Sequence, residues 1–513
     1  MIQTSLGVVL GKTTSRAIRF TIPYARPPVR SLRWSAPIPP RRWRGILDGT
    51  QTKSACPQSS NSATPSTNED CLYLNIFTPF NLSSSSRLPI FVWLHGGSFL
   101  QGSSTDKGLD GSKLAHSGMV VVTVNYRLGM LGFLRAPSAN LAGNFAVNDV
   151  LLALNFIRTN AFAFGGDASS ITLAGQSTGG DMIRTLFSVP AADSLFHRAI
   201  IQSAPINWDD HLPNVAEKLG EASLAKLHCT DIICLRKLPV ASIIVAQDDI
   251  ISSKPDQTID PAVGPVVPFR PVVDPDGVVK SQFGAITTGR TPSLKRPILI
   301  TTVANEGGAM VGYQISKNPL PAEFFSPVVS QFIGADRASI VLASGIYKVD
   351  SNDIDGTRNA LELLATDFAW RCPSQTAAVN LTSLGFSSVY LAQIDVGIHY
   401  PSTSNIAFCD SKVCHEDDIF PTFSNSPKSP KLTTVQRAAS AEIVARWKAF
   451  ATTGNPNAEG FVTWSPVKSG NQLNLLRLIG KGKSTVVQTQ RDQACGVKGV
   501  WGGQVQFDSQ MYA

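Results

Sequence analysis

No apolar run in this chain of 513 residues approaches the roughly 18 residues needed to cross a bilayer, which argues against a membrane-spanning helix. The N-terminus lacks a basic stretch followed by an apolar core, so no signal peptide is legible. No two cysteines stand in Cys-x-x-Cys spacing, and no metal is expected. Lysine and arginine exceed aspartate and glutamate, for a net charge of +8, but they are scattered apart from Arg41-Arg42-Trp43-Arg44. A nucleic-acid partner is therefore not expected, although the excess charge can steer acidic substrates. Internal repeats and heptads are missing as well, and nothing in the sequence speaks to oligomeric state.

What is present points to an oxidising compartment. The eight cysteines include two close pairs, Cys229/Cys234 and Cys409/Cys414, spaced as small disulfide loops. Sequons for N-glycosylation stand at Asn81-Leu82-Ser83 and Asn380-Leu381-Thr382. Disulfides and sequons together predict a secreted protein whose leader has been removed or replaced.

At 43% hydrophobic residues the chain can bury a large core. Strand-length apolar runs recur at Ile90 to Leu94, Met119 to Tyr126, Ile171 to Gly175, Ala199 to Gln202, Pro297 to Val303 and Val389 to Ile394. Between and after them lie helical patterns. Val147, Val150, Leu151, Leu154 and Ile157 share one face, and Ile443, Trp447 and Phe450 recur at i, i+4 and i+7. The alternation predicts an α/β fold, a large mostly parallel sheet flanked by helices, over a single domain 1–513. Stretches 205–295 and 310–385 read as cap-like insertions with few strands. Short Ser-, Thr- and Pro-rich stretches, such as Ser59 to Thr67, read as exposed loops.

One stretch carries chemistry. Ile171-Thr172-Leu173-Ala174-Gly175-Gln176-Ser177-Thr178-Gly179-Gly180 is an apolar run, then Gly-x-Ser-x-Gly, then a helical pattern from Asp181. A serine on so tight a strand-to-helix turn is pushed out above a sheet, and glycines flank it because a Cβ would clash. A serine hydroxyl is a weak nucleophile until a base takes its proton, and the base is a histidine oriented by a carboxylate. In chain order Ser, acid, His, the candidates for the base are His415, beside Cys414 in a loop, and His399, at the end of a strand pattern. Glu306 follows a strand and precedes Gly307-Gly308, where a sheet presents catalytic groups; Asp274 and Asp367 compete with it as acid. His95-Gly96-Gly97-Ser98 follows a strand, and the amides of Gly96, Gly97 and Thr178 can serve as donors to a tetrahedral oxyanion. If the pKa of His415 is near its unperturbed value, activity is expected to fall around pH 6 to 7.

These segments, with Ile22-Pro23-Tyr24-Ala25-Arg26-Pro27-Pro28, Glu69-Asp70-Cys71-Leu72-Tyr73-Leu74-Asn75, Asn125-Tyr126-Arg127-Leu128-Gly129, Phe164-Gly165-Gly166-Asp167 and Gly454-Asn455-Pro456-Asn457, occur in order over nearly the whole chain. The sequence resembles the type-B carboxylesterase/lipase family of α/β-hydrolases, which includes cholinesterases and fungal lipases, and a secreted fungal member is the expectation. The resemblance implies Ser177 as nucleophile, Glu306 as acid, His415 as base, and Gly96, Gly97 and Thr178 as the oxyanion hole, with no cofactor and a small-molecule ester as substrate. It implies disulfides Cys56–Cys71, Cys229–Cys234 and Cys409–Cys414, leaving Cys372 to Cys495. Arg127 and Asp149 resemble the family's buried ion pair, and Ser203 is expected to hydrogen-bond the acid.

The departures from the family pattern carry information. Gln176 stands where the family usually has Glu, and Thr178, whose β-branched side chain is expected to narrow the site, where it usually has Ala. The loop from Pro57 to Asp70 is short, polar and free of aromatics. Cholinesterases carry there a tryptophan that binds choline by cation–π contact, and fungal lipases a long apolar lid. The expectation is a carboxylic-ester hydrolase with an open site for soluble or bulky alkyl and aryl esters. Hydroxycinnamoyl (feruloyl-type), lipid, sterol and carotenoid esters are the alternatives. A non-catalytic binding module of the same family is the rival from a different class; such modules have usually lost the nucleophile that this chain keeps.

Overall fold

The computed structural model describes the chain except residues 81, 83–84, 316–318, 387, 469–472, 480–483, 489–492, 496–498 and 512–513. Eleven strands form one sheet: β1 (Lys12–Thr13), β2 (Ile18–Pro23), β3 (Tyr73–Thr78), β4 (Leu88–Leu94), β5 (Val120–Val124), β6 (Gly166–Gln176), β7 (Arg198–Gln202), β8 (Ile298–Val303), β9 (Val389–Ile394), β10 (Leu475–Leu478) and β11 (Thr485–Val487). Their spatial order is β11-β10-β9-β8-β7-β6-β4-β5-β3-β2-β1. From β10 to β5 every pairing is parallel, and the remaining pairings at the two edges are antiparallel.

Strands β4 and β5 are apolar along most of their length because both faces are covered. In β4, Ile90, Val92 and Leu94 enter one core while Phe91 and Trp93 enter the other, the period-two alternation of a strand. Helix α1 (Phe145–Asn160) closes the first face with Val147, Val150, Leu154 and Ile157. Each of those side chains contributes about 1.5 to 3 kcal/mol on burial. Helix α5 (Thr434–Thr453) closes the second with Ile443, Trp447 and Phe450. A capping box between Thr433 and Gln436 starts α5, and Gly454 in the left-handed region ends it.

Register brings the site together. Leu94 pairs with Gly175, Gln176 with Gln202, and Gln202 with Thr301. The C-terminal ends of β4, β6, β7 and β8 therefore lie side by side, and the segments His95–Gly97, Ser177, Ser203 and Glu306 all leave the sheet at that edge. This is where open parallel sheets present ligand-binding groups.

The long stretch 205–295 carries helices Pro213–Leu227, Ile232–Lys237 and Val240–Ser252 and no strand among the described residues. Helices α3 (Gly308–Gln314) and α4 (Gly356–Thr366) follow β8. Asp367 lies in helical backbone, in a wide turn continuing α4. A small N-terminal sheet of Ile2–Thr4, Gly7–Leu10 and Ile46–Asp48 has no counterpart in the sequence reading, nor do β1 to β3.

Disulfides join Cys56–Cys71, Cys229–Cys234, Cys372–Cys495 and Cys409–Cys414, and no cysteine is free. Arg127 and Asp149 form a buried bidentate pair at 2.6 and 2.7 Å, with the Arg127 amide adding a third bond to the same carboxylate at 3.1 Å. No helix among the described residues is long and apolar enough to cross a membrane.

Candidate active site

Ser177 sits between β6 and helix α2 (Thr178–Leu186), with φ 54° and ψ −129°. A non-glycine residue in that region carries backbone strain that the surroundings must hold. They do so with three bonds. The Ser177 amide donates to Gln202 at 2.8 Å, and its carbonyl accepts from Gly180 and Asp181 at 2.8 and 3.1 Å. A Cβ on Gly179 would run into the Leu94 carbonyl, so α2 crosses β4 at closest approach only because that residue is glycine. The helix begins at Thr178 rather than at Asp181, since this packing overrides the low helix propensity of two glycines.

Gly96 and Gly97 follow β4. A Cβ on Gly96 would lie 2.9 Å from that of Ser177, and Gly97 has φ +108°. Among the described residues, the amides of Gly96, Gly97 and Thr178 donate to no protein group. His95 shapes this turn by donating from Nδ1 to the Gly96 carbonyl at 2.9 Å. Its ring stacks on Tyr126 at 4.5 Å. Burial depresses its pKa to about 4 against the opposing effect of that bond, which keeps it neutral. The Thr178 hydroxyl accepts from the Phe99 amide at 3.1 Å and so ties the glycine turn to α2.

Glu306 is fully buried at the end of β8. One oxygen accepts from the Val303 amide at 2.8 Å, and the other meets Nδ1 of His415 at 2.6 Å. The neighbouring strand-like bridge Asn305 to Cys414, with the Cys409–Cys414 disulfide, fixes the loop that carries His415. The Trp370 ring packs against the imidazole at 5.3 Å. Burial of His415 would lower its pKa, but the hydrogen bond and charge of Glu306, with the charges of Glu416 and Asp418, raise it to about 8. The condition under which activity would fall around pH 6 to 7, an unperturbed His415, is therefore not met.

The other candidates lie elsewhere. His399 pairs with Asp417 at 3.0 Å, Asp367 with Tyr347 and Arg371, and Asp274 sits in a turn 4.0 Å from Arg135. Ser203 does not bond Glu306 as expected. Its hydroxyl reaches Asp418 at 3.5 Å, which Gln202 also holds at 2.9 Å. Asp418 is buried beside Glu306, and desolvation first, then the charge of Glu306, raises its pKa to about 7. Sequence reasoning missed Asp418; its spacing of three residues from His415 was the available signal. Asn380 is part-buried on helix Cys372–Ser383, and Asn81 lies outside the described residues.

A cavity of about 160 Å³ borders Gly96 and Gly97 and is further lined by Trp93, Tyr400, Asp106 and Glu416. The polar loop after Cys56 covers one side. Gln58 binds Gly102 through both its amide atoms, at 3.0 and 3.1 Å, and Thr64 bonds Asp106 at 3.3 Å.

A mostly parallel sheet of this order, with a serine elbow after β6 and a carboxylate-bound histidine beside it, defines an α/β-hydrolase. Comparison with known proteins narrows this further. The sequence profile described as "Carboxylesterase family" matches residues 1–497. Carboxylesterase 3B of Mus musculus is 30% identical over 96% of this chain and 88% of its own. The para-nitrobenzyl esterase of Bacillus subtilis (strain 168) is 36% identical over 60% of this chain and 63% of its own. A solved thermophilic PNB esterase superposes with a TM-score of 0.78 at 27% identity, covering 96% of this chain and 98% of that one. The chain belongs to the carboxylesterase family and is a serine carboxylic-ester hydrolase.

Proposed function

We propose that Ser177, His415 and Glu306 carry out ester hydrolysis through an acyl-enzyme, with the amides of Gly96, Gly97 and Thr178 holding the oxyanion. The observation that carries this reading is the 2.6 Å contact of Glu306 with Nδ1 of His415 at the elbow of Ser177. A carboxylate there accepts the Nδ1 proton and leaves Nε2 with the lone pair a base needs. Ser177 Oγ attacks the ester carbonyl carbon as its proton passes to Nε2. The intermediate collapses with loss of the alcohol, which takes that proton. Water then attacks the acyl carbon, giving a proton to Nε2, and the acid leaves as Ser177 regains its hydrogen. The three undonated amides stand ready for the negative oxygen without reorganisation.

Residues 1–513 act as one catalytic unit in this reading, with 205–295 and 310–385 as caps. The substrate is a soluble or bulky alkyl or aryl ester. Support comes from the short loop after Cys56, which Gln58 pins to Gly102 rather than leaving free to swing as a lid. Four disulfides support action in an oxidising, extracellular setting with Asn81 and Asn380 as glycosylation sites.

A panel of p-nitrophenyl, feruloyl and triglyceride esters, each assayed below and above its solubility limit, tests the substrate class. The reading expects turnover of dissolved esters with no rise at the limit. A steep jump there, with preference for emulsified triglyceride, overturns it.

A further inference from the structure

Gln176 closes β6 immediately before Ser177 and is fully buried. Its amide nitrogen stands 3.2 Å from Nε2 of His415. Its amide oxygen is also buried and has no hydrogen-bond partner among the described residues. That oxygen lies beside the glycine turn, since a Cβ on Gly96 would sit 2.9 Å from it. An amide NH2 only donates, so the contact requires a lone pair on Nε2 and a proton on Nδ1, where Glu306 accepts it at 2.6 Å. Gln176 and Glu306 thus select the same tautomer from opposite ends of the imidazole.

We propose that Gln176 is a positioning residue that serves both protonation states of His415: its NH2 caps the Nε2 lone pair at rest, and its unpartnered oxygen turns to accept from Nε2–H once the Ser177 proton has moved. The proposal rests on His415 being the base. The terminal amide torsion is broad and roughly two-fold, so the exchange needs no movement of the backbone. A carboxylate at this position could only accept, and would favour the imidazolium alone. The charged groups facing His415 are Glu306 on Nδ1 and Glu416 and Asp418 from its own loop, while Trp370 packs on it without charge. Gln176 is the neutral member of this ring.

The test compares Gln176→Glu and Gln176→Met with the parent enzyme, with thermal melts to establish folding and with Ser177→Ala and His415→Gln alongside. The pH dependence is read twice, as kcat/KM on a soluble ester and as the rate of fluorophosphonate labelling. Gln176→Glu is expected to move the acid limb of both upward by about one to three pH units, the effect of an opposite charge at this distance. Gln176→Met is expected to lower the kcat/KM plateau about three- to tenfold, the worth of one neutral hydrogen bond. A folded Gln176→Glu enzyme whose limb moves by less than about half a unit overturns the proposal. If that variant does not fold, an unchanged plateau in Gln176→Met overturns it instead. Activity surviving in His415→Gln would remove the base assignment itself, a separable failure.

Discussion

Replacing Glu306 with Gln asks one atom to change its chemistry and little else. The side chain is fully buried, and the substitution keeps its volume. The amide oxygen of Gln can still accept from the Val303 amide, which Glu306 holds at 2.8 Å. The other end then presents NH2 to Nδ1 of His415, where a carboxylate oxygen stood at 2.6 Å. Two donors cannot face each other, so the imidazole is driven to carry its proton on Nε2, and a protonated Nε2 cannot accept from Ser177. In other triads the equivalent change from acid to amide lowers kcat about 10⁴-fold, or about 5 kcal/mol of barrier. Because the buried charge disappears along with its partner's proton demand, the melting temperature should change little. The assay is kcat on a dissolved p-nitrophenyl ester beside a thermal melt. A folded Glu306→Gln enzyme that loses less than about tenfold would refute the reasoning.

Three further outcomes follow from the geometry. In the proposed mechanism His415 must be neutral to act as base, and its pKa is raised to about 8, so kcat/KM should fall as pH is lowered through about 8; a limb centred near 6 in the parent enzyme would contradict this. Arg127→Ala leaves Asp149 buried without its bidentate partner and should destabilise folding by about 3 to 5 kcal/mol in urea titrations. Loss of under about 1 kcal/mol would count against that pair as an anchor of the fold. Removing Cys372–Cys495, which closes 123 residues, should cost more stability than removing Cys229–Cys234, which closes 5. Loop entropy gives about 5 against about 2 kcal/mol, and the reverse ranking would show that native-state packing decides instead.

The parallel heart of the sheet was legible because strands buried on both faces read as unbroken apolar runs, as in Phe91-Val92-Trp93-Leu94. The antiparallel strands β1 to β3 lacked that signal. Ile18-Arg19-Phe20-Thr21, next to the edge, mixes polar and apolar residues. The first half of β6, Gly166 to Ser170, is likewise polar and joins the sheet through an irregular register that no periodicity reports. In the site, chain order and turn glycines pointed to Ser177, Gly96 and Gly97 but left His399 beside His415 and Asp274 and Asp367 beside Glu306, a choice that the family resemblance made. The supporting hydrogen bonds were not readable: Thr178 to Phe99, Ser203 to Asp418, and Gln176 to His415. Each joins residues distant in sequence through side chains whose direction only the packed structure sets. Ser203 illustrates the point, since two buried carboxyl groups, Glu306 and Asp418, lie within its neighbourhood, and sequence could nominate only the first.

The central claim is that Ser177 forms the acyl-enzyme. It is tested most directly by treating the folded enzyme with a fluorophosphonate and mapping the mass increment by peptide sequencing. The account predicts one label, on Ser177, with labelling and ester turnover both lost in Ser177→Ala. A label on any other residue, or turnover that survives Ser177→Ala, would contradict it.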